Sequence, residues 1–207
     1  MIKHLQINLR SFPFYFRERN TRNKIIRNRC GRDFLYYALV YYFPNYYGAN
    51  KITPHNVEEQ GLFGISVPAT LAWTQLQFVR VVKYLNHKGL KLSINQKLIN
   101  SFPDFFRATL FSRIGYDDAM LSIIKCVDSN AVAGIDISVG LFGLLDHVIF
   151  VYGYDDDNLY VFETTETPIK YERISKEYPL IMKLSKEEIK NRWTKFGRVW
   201  KVNKIIY

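Results

Sequence analysis

The chain has 207 residues, 48% of them hydrophobic and 16% aromatic, which is enough for one sizeable core and unlike a disordered or low-complexity protein. Its two cysteines, Cys30 and Cys126, exclude a disulfide scaffold and cannot by themselves hold a structural zinc ion, so a reducing, cytoplasmic setting is expected. The net charge of +10 is uneven, with nine Lys/Arg against Glu18 and Asp33 in residues 1–33 and a second basic run over 183–204. Such stretches suit an acidic partner or an anionic surface, and a solvated basic face is the plainer reading.

In chain order, residues 1–28 are basic and poorly periodic, and read as an N-terminal arm on one domain spanning 29–207. Nothing in the first twenty residues has the apolar run of a signal peptide. Cys30-Gly31-Arg32-Asp33 leads into 34–43, a run so apolar that, as a helix, it would be buried almost all round. Pro44 and Asn45 stop it. Thr53-Pro54 has the form of a helix start, with Thr as N-cap and Pro at the first position, for a short helix to residue 59. Residues 71–88 are the longest predicted helix, with Ala72, Leu76, Val79, Val82 and Leu85 three and four apart and Gly89 as C-cap.

Residues 91–94 alternate as a strand does. A helix is predicted over 116–129, with Ala119, Leu121, Ile124 and Val127 inward, and a strand over 131–138. The stretch 131–154 is the most apolar in the chain, but Asp136, Asp146 and His147 interrupt it, so it reads as buried strands rather than a membrane span. Two β-rich runs, 148–152 and 158–162, flank Asp155-Asp156-Asp157 as a hairpin. Adjacent acids at a hairpin tip are turn chemistry rather than a metal site. Ser185 caps a helix over 186–192, with Glu187 and Glu188 in its first turn, and 198–206 is a closing strand. Helices first and mostly antiparallel strands afterwards make an α+β plan, a helical N-terminal half and a sheet-forming C-terminal half.

Cys30 would stand at the N-terminus of the buried helix, where unpaired N–H groups and the helix dipole favour an anion, with Arg29 and Arg32 beside it. A thiolate there is a nucleophile for acyl transfer. The position alone is equally that of a buried structural thiol. His147 opens the strongest strand, a rigid place for a base, although a single histidine on a strand is more often structural.

The strings around these two residues resemble a known family. Cys30-Gly31 at the head of an apolar helix is similar to the nucleophile helix of papain-like cysteine peptidases. The sequence from His147 through Gly153-Tyr154-Asp155-Asp156 to the strand at Tyr160-Val161 resembles, more specifically, the bacteriocin-processing (double-glycine) peptidases and their stand-alone relatives. The resemblance covers roughly residues 28–204 and implies a papain-like fold. It implies Glu163 as the third catalytic residue, at the place of the family's aspartate, holding the tautomer of His147. A two-residue turn at Asp156-Asp157 would set Phe150 opposite Glu163, on the wrong face for His147. An odd-numbered loop or a bulge is therefore expected, bringing Ile149 opposite Glu163.

The family's oxyanion-hole glutamine has no counterpart between Gln6 and Cys30, and Asn23 is the nearest amide by spacing. Arg32, Asp33 and Phe34 stand where the family has small residues, and would narrow or charge a substrate groove. The implied activity is thiol-dependent hydrolysis of a peptide or amide bond without a cofactor or metal. The alternatives are acyl transfer on the same triad, or a binding domain that has lost catalysis.

Overall fold

The computed structural model describes residues 1–10, 12, 30–46, 53, 56–57, 60, 71–94, 114–138, 146–163, 169–174, 176–177, 180–193 and 197–205. Its helices are α1 (Cys30–Tyr42), α2 (Leu71–His87), α3 (Tyr116–Asp128) and α4 (Lys186–Arg192), with a 3₁₀ turn at Pro44–Tyr46. Its strands are β1 (Lys3–His4), β2 (Leu92–Ile94), β3 (Val132–Ser138), β4 (Asp146–Tyr154), β5 (Asn158–Phe162), β6 (Glu172–Arg173), β7 (Ile181–Ser185) and β8 (Arg198–Lys204). All described strand pairs are antiparallel, in the order β2-β8-β3-β4-β5-β7-β6, and the class is α+β.

The sheet is buried on both faces, and strand alternation decides which side chain goes where. Val148, Phe150, Tyr160, Phe162, Trp200 and Val202 face a core shared with α1 and α2. Ile135, Ile149, Val151, Leu159, Val161 and Val199 face a second core shared with α3 and α4. This two-sided burial explains why the strands lack a clean polar alternation.

The expectation for α1 holds along its length, with every residue from Cys30 to Val40 buried. Phe34, Leu35 and Tyr37 are at most 1% exposed, each contributing roughly 1.5–3 kcal/mol relative to an exposed position. Tyr37 meets Phe150 and Phe162 edge-on at 5.9 and 5.7 Å, and those two rings stack at 5.0 Å. Tyr36 and Tyr37 are core residues. Gly134 lies under the Phe34 ring, where a Cβ would come within 2.6 Å of Cε2.

α2 ends as expected, with Gly89 at φ 81°, a left-handed C-cap. The inward face of α3 differs from expectation. Leu121 is 55% exposed, and the buried stripe is Ala119, Met120, Ile123, Cys126 and Val127. A 3.6-residue period cannot turn 119, 123 and 121 to one side, so Leu121 is on the far face. The N-terminal residues are part of the sheet. Lys3 and His4 pair with Tyr154 and Gly153 of β4, Leu5 N–H donates to Tyr152 O at 2.9 Å, and Leu5 is fully buried.

Candidate active site

Two devices converge on the start of β4. The first is α1, whose packing against Phe150 and Phe162 fixes its first residue, Cys30, at the end of the sheet. The second is the β4–β5 hairpin. Its turn is the two-residue one, closed by Asp155 N–H donating to Asn158 O at 3.0 Å. Left alone, this register would set Glu163 against Phe150. The strand corrects it with a bulge. Gly153 pairs with Tyr160 but Val151 pairs with Val161, so Tyr152 is the extra residue. Phe150 then meets Phe162, and the next pair along is Ile149 with Glu163. His147 lies two residues further on the same side, within reach of Glu163.

The result is a buried line of three chemical groups. His147 Nε2 lies 2.7 Å from Glu163 Oε2. The Cys30 sulfur lies close enough to the His147 ring to raise its proton affinity. With Nε2 engaged by the carboxylate, Nδ1 is the nitrogen left for sulfur. Cys30, His147 and Glu163 are 9%, 6% and 5% exposed, so their interactions are weakly screened. Burial alone would lower the proton affinity of His147, but the Glu163 carboxylate and the Cys30 sulfur outweigh it and push its pKa up to about 10. Both partners thus favour the protonated form of the ring.

Glu163 is held from both sides. Its N–H donates to Leu180 O at 2.9 Å, which anchors the backbone just beyond β5. The Tyr171 hydroxyl donates to Oε2, the same oxygen that faces His147. Tyr171 was not singled out by the sequence. Nothing in its neighbours marks it, and only the return of the chain from β5 towards β7 brings it to Glu163.

Arg32 does not act as a free cation beside the thiol. It is 1% exposed, and its Nε donates to Asp33 Oδ1 at 2.7 Å. Asp33 is itself 3% exposed, so the pair neutralises itself inside the helix layer instead of charging a groove. Arg29 and Asn23, the expected second cation and oxyanion donor, lie outside the described residues. Asp155, at the hairpin tip, accepts from Asp157 N–H, Asn158 N–H, Asn158 Nδ2 and Tyr160 Oη at 2.7–2.9 Å, the hydrogen bonding of a turn. Among the described residues no group of three His, Cys, Asp or Glu is placed to hold a metal ion, and no helix is long and apolar enough to cross a membrane.

Neither protein-family models nor curated proteins match this sequence.

Proposed function

We propose that the chain is a thiol-dependent hydrolase of peptide or amide bonds with a papain-like arrangement. The observation that carries this reading is the buried Cys30–His147–Glu163 line, in which thiol, imidazole and carboxylate meet in the order that nucleophilic acyl transfer requires. The Cys30 thiolate, paired with the His147 imidazolium, attacks the substrate carbonyl carbon. The new C–S bond places negative charge on the carbonyl oxygen, next to the backbone N–H groups at the start of α1. His147 gives its proton to the leaving nitrogen, the C–N bond breaks, and a thioester remains. A water molecule then loses a proton to His147 as its oxygen attacks the thioester carbon, and the acid and the thiolate are released. Glu163 keeps the ring oriented and balances the imidazolium throughout.

Mapped alkylation tests the first step without a known substrate. Iodoacetamide labelling across pH, read at Cys30 and Cys126 by mass spectrometry, is expected to show Cys30 reacting ahead of Cys126. Burial pushes the Cys126 thiol up. In His147→Gln, Cys30 alkylation at neutral pH is expected to slow. Equal labelling of both thiols, unchanged by the substitution, would remove the reading. Once a substrate is found by peptide-library cleavage, release of a free acid marks hydrolysis, and an acylated amine marks transfer.

A further inference from the structure

Two donors, His147 and Tyr171, converge on one oxygen of Glu163, Oε2. A glutamate carboxylate turns easily about its last torsion, whose energy wells are broad and two-fold. A single bond to His147 would leave either oxygen able to serve, and the ring free to follow. A second donor on the same oxygen removes that freedom. Tyr171 is also seated from below. Ile169 is 5% exposed in the core beneath the sheet, and Lys170 N–H donates to Glu188 Oε1 at 3.3 Å. Glu188 is fixed in turn, with Arg192 Nε donating to the same Oε1 at 2.6 Å and Ser185 Oγ accepting from Glu188 N–H at 3.1 Å. Arg192 also reaches back to the end of β3, with Nη1 3.4 Å from Ser138 O.

We infer that Tyr171 is a positioning residue for the Cys30–His147 pair, holding Glu163 Oε2 in line with His147 Nε2, and that α4 holds the Tyr171 segment through Glu188. This rests on the hydrolase reading for its purpose, but not for its test. The hydroxyl does two things to the carboxylate: it fixes its orientation, and it draws negative charge away from the oxygen that His147 faces. Removing it leaves a more strongly negative Oε2, so the imidazolium holds its proton more tightly and gives it up less readily to a leaving group.

The experiment is a titration of His147 followed by NMR in ¹⁵N-histidine-labelled protein, with His147→Gln assigning the resonance among the four histidines. Three proteins are compared: wild type, Tyr171→Phe, and a chain carrying 4-aminophenylalanine at 171. That last side chain keeps an N–H donor on the same ring and does not ionise in alkaline solution. Tyr171→Phe is expected to titrate at higher pH than wild type. The aminophenylalanine chain is expected to return towards wild type. Glu188→Gln is expected to shift the titration the same way by less. The inference is overturned if Tyr171→Phe titrates as wild type, or if 4-aminophenylalanine behaves as phenylalanine does. An unchanged Glu188→Gln removes the α4 part. Should Tyr171→Phe fail to fold, a chain carrying 4-fluorophenylalanine at 171 decides, because it fills the para position without a donor, and a wild-type titration there overturns the inference. If His147→Gln leaves Cys30 alkylation unaltered, the hydrolase reading fails, while the titration still reports whether Tyr171 acts on Glu163.

Discussion

The hairpin of β4 and β5 carries a carboxylate at each end, and each accepts a hydrogen bond from a tyrosine. At the tip, Tyr160 donates to Asp155 at 2.7 Å. At the base, Tyr171 donates to Glu163. The chemistry is the same and the consequences differ. Among the described residues, the donors to the Asp155 carboxylate lie within five residues of it in sequence. The carboxyl is held at about 2, since these bonds outweigh a burial effect that opposes them. Water reaches Asp155, so the cluster shapes a turn and does little more. Glu163 is buried, and its partner His147 lies 16 residues away. There the field is weakly screened, and a carboxylate can move the proton affinity of its partner by several pH units. Burial and long-range contact, rather than residue type, separate the reactive end from the structural end.

The sharpest way to break this contrast is Glu163→Gln. Shape is kept and charge is lost, so the imidazolium loses its partner. We expect hydrolysis, once a substrate is in hand, to fall by on the order of a hundredfold or more, by analogy with triads whose orienting carboxylate is made an amide. A fall of less than about threefold would place Glu163 among the structural acids, with Asp155.

Gly134→Ala acts on the other arm of the site. The added methyl meets the Phe34 ring beneath α1, and overpacking of this kind costs about 1–3 kcal/mol. Because Phe34 is one turn from Cys30, alkylation of Cys30 should slow along with the loss in denaturant midpoint. Loss of stability with Cys30 reactivity intact would show that the helix adjusts without moving its first residue.

A third prediction concerns pH. The pKa of His147 is raised from 6.5 to about 10 in the folded protein. The protonated ring therefore adds stability that is complete below the unfolded value of about 6.5, declines as pH rises, and is gone above about 10. Wild type minus His147→Gln, measured by urea unfolding, is expected to shrink across that window. A difference that stays flat would mean that the ring is neutral in the fold.

The smallest effect is expected at the tip. Asp155→Ala removes a half-buried network and should cost roughly 1 kcal/mol, in line with a partly screened hydrogen-bonded turn. Cys30 alkylation is expected to stay as in wild type. A slowed Cys30 would tie the turn to the site through the register of the hairpin and blur the comparison.

Parts of this protein follow from short stretches of sequence. The buried α1, the Gly89 cap, the Ser185 cap and the Asp155 turn are decided by neighbours a few residues apart, through burial pattern, φ preference and local hydrogen bonds. Cys30 and His147 each open an element of strong character, but position alone leaves both open to a structural role, and it is the resemblance to papain-like peptidases that pairs them and adds Glu163. Asn23 could be named only by spacing. The pairing rule calls for an odd-numbered loop or a bulge, but it decides neither between them nor the location at Tyr152. The inward face of α3 was misread at Leu121 because two overlapping three-and-four spacings compete there, and only packing against the sheet selects one. The Arg32–Asp33 pair and the reach of Tyr171 to Glu163 belong to the tertiary structure alone. Sequence determines which residues can open a helix or turn a hairpin, since those choices involve groups already close along the chain. Which charges lose their water, and which distant side chains share an oxygen, is decided only when the layers close over them.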